Sequence, residues 1–287
     1  MPTVGELFRV LLWPLVVSGL IAAVGRWRMW AWAMPLALGV GFMTGVAALI
    51  GQPAYFGRPA LPPADGTDWL FWLAIPLTVV GILDATRGGK WGWLMGLVAA
   101  GVAYVILRPL PTTAYPHAQA FVLVLGLGVA AAAAALAARI TRPSIGSWAV
   151  GIALAITLGA AGVVVMSSGL RVVGLYGLAA AAATGPAAVL MPRKGRGVTV
   201  VAMGLLAGLL TGGRFYPDPG VTMTSVFVLA AAPLLLIPAV FVPSKLLVVR
   251  AIVGVTLVAV AVAAVAVPTA VAAKKAAEED PNAAYGY

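Results

Sequence analysis

The sequence predicts an all-α protein, a polytopic transmembrane helical bundle of about ten spans. Three observations carry that expectation. Of 287 residues, 62% are hydrophobic and only 9% charged, whereas an average soluble domain is about a quarter charged. Mean hydropathy is +1.06, and so few charges cannot cover the surface of a water-soluble globule. The apolar stretches are also unbroken rather than alternating. That pattern excludes a membrane β-barrel and leaves helices, because hydrocarbon satisfies no unpaired backbone group.

A helix needs about 20 residues to cross a core of about 30 Å. Cutting the chain at charges and turn-forming residues predicts spans near 5–25, 29–50, 69–85, 91–108, 118–138, 147–168, 171–191, 197–213, 221–243 and 250–272. The third and eighth are the shortest. The N-terminus, MPTVGELFR, lacks the basic start of a signal peptide, since Glu6 offsets Arg9. Residues 10–25 are therefore expected to stay as a span. Residues 1–273 form one transmembrane domain on this reading. The tail 274–287 is polar, is expected to prolong the last helix by a turn or two before Pro281, and is then expected to be disordered.

Orientation follows from the basic residues. Loops after odd spans hold Arg26, Arg28, Arg87, Lys90, Arg139, Arg142, Arg193, Lys194, Arg196, Lys245 and Arg250; loops after even spans hold Arg58, Arg108, Arg171 and Arg214. Eleven against four places the odd loops in the cytoplasm and both termini outside. Lys274 and Lys275 fall on the outer side, beside Glu278, Glu279 and Asp280. Abundant Ala, Gly, Val and Arg with a single asparagine, Asn282, reads as GC-rich coding. That points to a bacterial cell membrane. Basic anchors recur near 26, 87, 139, 193 and 245, yet two spans with short loops give this spacing without any repeat. The halves also differ. All nine tryptophans lie at or before Trp148, and Pro14, Pro35 and Pro76 have no later counterparts as a set.

Many chemistries are excluded outright. The chain has no cysteine and one histidine, His117, so thiolate sites, multi-histidine metal sites and haem pairs cannot form. No predicted span carries an ionisable or amide side chain near its middle, where proton relays and ion pathways place them. Asp84 and Arg87, spaced i,i+3, sit at the end of span 3 and can pair at the interface. Ser147 has no histidine at membrane depth to activate it. Asp65-Gly-Thr-Asp68 is a paired carboxylate that could hold a divalent cation on the outer face. The preferred reading makes Asp68 the N-cap of span 3 and Asp65 part of an Asp-Gly turn. No metal, cofactor or nucleic acid is expected.

The four outer loops share one composition: Tyr55 with Arg58, Arg108 with Tyr115, Arg171 with Tyr176, and Arg214 with Tyr216, with His117 on the same side. Arg and Tyr are over-represented where proteins grip partners or anions, although both also anchor helix ends at headgroups. Gly204, Gly208 and Gly212 form a stripe on span 8 that admits another helix closely, within the chain or in a homodimer. Gly185-Pro186 in span 7 and Pro233 with Pro238 in span 9 are possible hinges of broken helices. The first functional expectation is a non-catalytic scaffold or accessory subunit that contacts other membrane subunits through the outer Arg/Tyr/Pro loops. The second is a facilitative permease for a lipophilic or weakly polar solute, with a cavity between spans 7 and 9. An outer-face enzyme around Asp65 and Asp68 comes third.

Overall fold

The computed structural model describes residues 2–50, 63, 66–87, 94–110, 116–190, 197–217, 220–243 and 246–279. Ten α-helices follow in order: α1 Val4–Trp27, α2 Ala33–Ile50, α3 Gly66–Thr86, α4 Leu94–Leu107, α5 His117–Ile145, α6 Ser147–Ser167, α7 Arg171–Leu190, α8 Val198–Phe215, α9 Met223–Ala231 and α10 Leu247–Glu279. No strand occurs among the described residues. Nine of these segments are long and apolar enough to cross a membrane, counting α9 together with the turns that prolong it to Phe241. The described part of α4 is shorter, at 14 residues. This is a polytopic helical bundle, as its composition demands.

Several boundaries differ from the sequence reading, each for a physical reason. α3 begins at Gly66, so Asp68 lies in its first turn rather than capping it. There its charge still complements the helix dipole. α5 runs past Arg139, Arg142 and Pro143 to Ile145, because a helix that has reached headgroups and water needs no apolar residues to continue. It stops at Gly146, whose φ of +85° suits glycine, and whose N–H donates to the carbonyl of Arg142. α6 starts on the next residue. α10, by contrast, runs on as expected for a turn or two, through Lys274 and Lys275 to Glu279, with i,i+4 ion pairs Lys274–Glu278 and Lys275–Glu279 at 3.7 Å along its last turns. Residues 280–287 of the expected tail lie outside the described residues.

The bundle is organised around α8. Every residue from Val198 to Gly213 is buried, and α2, α3, α4, α5, α6, α7 and α9 all pack against it. α1 leans on α2 and α7, and α10 leans on α6, α5 and α9. Between their ends, those outer helices expose mostly apolar side chains, including Leu12, Val16 and Leu20 on α1 and Val248, Ile252 and Val260 on α10. A surface of that kind fits lipid and not water. The second half partly echoes the first. α1–α2 and α6–α7 are both closely packed hairpins, and α2 packs on α7 as α3 does on α8. The echo is incomplete, because α1 packs on α7 without an extensive α6–α2 counterpart, and α10 on α6 without α5 on α1.

Lipid gives helices no hydrophobic reason to associate, so close contact must supply the attraction. The glycine stripe of α8 is used inside the chain. A side chain at Gly204 would collide with Leu77, and one at Gly208 with Leu70, two residues on the same face of α3. Gly212 meets only Val173 at an ordinary 3.8 Å. α6 and α7 approach more tightly: a Cβ on Gly177 would stand 2.5 Å from Gly162 Cα, and one on Gly174 2.6 Å from Gly162 O. Gly177→Ala should therefore push the two helices apart at a cost of about 1–3 kcal/mol. Gly101→Ala, which meets nothing within 4 Å, should be neutral or gain up to about 1 kcal/mol of helix propensity. Thermal unfolding of both purified variants checks this, and equal melting temperatures would contradict the close approach.

Candidate functional site

Polar side chains collect at the two ends of the bundle. The contacts between them also sort the helices by direction. Arg171, at the start of α7, binds Glu6 at the start of α1. At the far end of the same pair, Arg26 donates to the Leu190 carbonyl at 3.4 Å, so α1 and α7 run parallel and are held at both ends. Tyr216, just beyond α8, donates to the Ile106 carbonyl at the end of α4 (2.9 Å). Arg214 donates to Gln119 Oε1 in the first turn of α5 (3.0 Å). Arg142 in the last turn of α5 reaches Thr199 at the start of α8 (3.1 Å). Glu6, Arg171, Gln119, Arg214 and Tyr216 thus mark one end, and Arg26, Arg142 and Arg250 mark the other.

Of the residues that the sequence singles out, Arg108, His117, Arg171, Arg214 and Tyr216 lie at the Glu6 end. Thr3 and Glu6 form a capping box at the start of α1. The Glu6 N–H donates to Thr3 Oγ1 (3.3 Å), while Glu6 Oε2 accepts from the Thr3 N–H (2.6 Å) and hydroxyl (3.0 Å). The same oxygen accepts from the Arg171 guanidinium. Glu6 is only 5% exposed. A buried carboxylate is costly unless it is paired and hydrogen-bonded, and here three donors meet one oxygen. Arg171 opens α7, where the positive end of the helix dipole disfavours a cation; Glu6 offsets that. The arrangement is a clasp between α1 and α7.

The Arg/Tyr pairs of the sequence do not stay together. Arg171 binds Glu6, whereas Tyr176 is 3% exposed and lies in the core, edge-on to Phe42 with ring centroids 6.2 Å apart. Arg214 lies 5.8 Å over Phe215 as well as bonding Gln119. Tyr216 satisfies one of the carbonyls that the end of α4 leaves without an intrahelical partner. Arg108 and His117 are exposed at this end. Tyr55, Arg58, Asp65 and Tyr115 lie outside the described residues. Among the described residues, no group of three or more His, Asp or Glu side chains is placed to hold a metal ion. Sequence reasoning missed Glu6 and Gln119 as partners. The Thr-x-x-Glu signature of the capping box was legible, but the neighbour of Glu6 stands 165 residues away.

The two hinge candidates part company. α7 is helical through Gly185 and Pro186. α9 instead gives way at Ala232 to 3-10 turns, Ala232–Leu236 and Pro238–Phe241, with Pro233 and Pro238 in their first turns. α6 and α8 both pack against α7 and against α9.

Comparison with family models, with curated proteins and with solved structures found no match. Fold and polar rims define the class: a multi-pass, all-helical membrane protein. For the clasp, a double-mutant cycle over Glu6→Gln and Arg171→Gln should show coupling. Exposed pairs contribute below about 1 kcal/mol and breaking a buried one costs about 3–5 kcal/mol. With the Arg171 side chain 36% exposed, about 1–2 kcal/mol is expected. Strictly additive losses in thermal unfolding would show that the clasp contributes nothing.

Proposed function

We propose that the protein is a non-catalytic scaffold or accessory subunit of a cytoplasmic membrane, with both termini and the Glu6 end outside. The observation that supports this is how polar groups at membrane depth are used. Thr78, Thr157, Thr184 and Thr211 are buried, and each returns its hydroxyl to the carbonyl four residues earlier in its own helix, at 2.6–2.8 Å. Each of these hydroxyl protons is thereby used within its own helix. Within the Arg/Tyr set, Arg171, Arg214 and Tyr216 join helices to one another. The partner-facing role then falls to Arg108 and His117, with Tyr55, Arg58 and Tyr115 of the neighbouring loops. A guanidinium beside aromatic rings on a proline-rich loop binds carboxylates and aromatic side chains with little ordering cost.

A facilitative permease for a lipophilic or weakly polar solute is the second reading. It draws on the 3-10 turns around Pro233 and Pro238, since backbone released from α-helical bonding can line a solute site. The continuity of α7 through Pro186 weighs against the paired hinge it would need.

Native mass spectrometry of the tagged protein, drawn gently from its own membrane, distinguishes the two. The scaffold reading expects other subunits at fixed stoichiometry, and Arg58→Ala with Arg108→Ala should cut their recovery at least fivefold while expression is kept. Unchanged recovery in that double variant, or a chain that travels alone with a bound small molecule, would overturn it in favour of the permease.

A further inference from the structure

We propose that the turn between α1 and α2, with the outward stripe of α1 that runs into it, is a binding site for one anionic phospholipid. Trp13, Val16, Leu20, Val24 and Trp27 succeed one another at steps of three and four residues, so they form a single stripe along α1. All are exposed, with Leu20 at 63% and Trp27 at 77%. α1 packs on α2 and α7, and this stripe points away from both. From Trp13 to Trp27 the helix rises about 21 Å, at 1.5 Å per residue. One leaflet contributes about half of a 30 Å core. The stripe is therefore long enough to seat an acyl chain and still reach the headgroup level.

Positive charge begins where the stripe ends. The Arg28 guanidinium lies 4.8 Å over the Trp27 ring. Two and four residues on from Arg28, the Trp30 and Trp32 rings stack with centroids 4.5 Å apart. Arg26 is held at the same level by its bond to the Leu190 carbonyl. The turn itself is unusual, since Met29 has a φ of +60°, a left-handed conformation uncommon outside glycine. It leaves Arg26, Trp27, Arg28, Met29 and Trp30 all exposed.

Each part of a phospholipid finds its chemistry here. A guanidinium offers a planar fork of donors that matches two phosphate oxygens. Indoles settle at the glycerol and headgroup level, and the apolar stripe takes a chain. A zwitterionic headgroup carries its own ammonium, which competes with Arg28 for the phosphate. A headgroup with net negative charge has no such competitor, and it also gains from Arg26. The site stands on these contacts alone, whether the protein serves as scaffold or permease.

The test reconstitutes the full chain in vesicles of equal phosphatidylglycerol and phosphatidylcholine, extracts it gently, and counts retained lipids by native mass spectrometry. Retention of phosphatidylglycerol at least threefold above phosphatidylcholine is expected. Arg28→Ala should abolish that preference, Arg28→Lys should keep part of it, and Trp27→Ala should lower retention of both lipids. Because the Arg28 side chain is exposed, its removal should leave the melting temperature in detergent unchanged, which separates lipid loss from unfolding. No preference in the parent chain, or an undiminished one in Arg28→Ala, would overturn the proposal.

Discussion

Seven helices lean on α8, and α8 has no exposed residue between Val198 and Gly213. That central burial is the condition the rest of the bundle meets. A helix cannot be drawn inward by the hydrophobic effect when its surroundings are already hydrocarbon, so what holds it is close van der Waals contact over its whole length. The requirement explains the small residues. Leu70 and Leu77 of α3 sit over Gly208 and Gly204, and α6 meets α7 glycine to glycine at Gly162, Gly174 and Gly177. It also explains the chemistry of the interior. A hydroxyl in a helix surrounded by apolar neighbours has one ready acceptor, the carbonyl one turn back, and the buried threonines take it. An ionised group there would have had no partner and no water.

What the centre excludes, the ends receive. A helix leaves its first N–H groups and last carbonyls without intrahelical partners. Several charged and aromatic side chains of this protein are used to close those ends or to tie one helix to the next. Thr3 and Glu6 close the start of α1, Tyr216 caps a carbonyl of α4, Arg26 one of α7, and Arg250 the Val242 carbonyl beyond α9 at 3.1 Å. An arginine at such a rim is thus no evidence of a ligand by itself. The informative ones are those whose surroundings offer a guest something complementary. Arg28 over Trp27, at the end of the exposed apolar stripe of α1, is one.

The positions of the spans were legible because hydropathy reports the environment of each residue, and in a membrane that environment is uniform along a helix. All ten predicted spans correspond to observed helices. A boundary slipped where polarity was taken as an end signal, as at Arg139 in α5, since helical hydrogen bonding continues freely into water. Pairing was the harder matter. The Arg171–Tyr176 grouping followed nearness in sequence, but five residues along a helix turn a side chain well over a full revolution. Tyr176 accordingly faces Phe42 while Arg171 reaches Glu6.

The sequence by itself determined that the chain is a helical membrane bundle, roughly where each helix lies, and which reactions lack the side chains to occur. Those are consequences of composition and local periodicity, which each segment carries within it. The tertiary structure alone decided that α8 is the centre and that Gly204 and Gly208 of its glycine stripe receive α3 within the chain. It also decided that α6 and α8 each pack against both α7 and α9, and that Glu6 at one end of the chain closes on Arg171 far along it. The physical reason is that nearly every helix here is apolar on all sides. Hydropathy then cannot tell one face from another, and the choice of neighbour rests on shapes that exist only once the helices are packed.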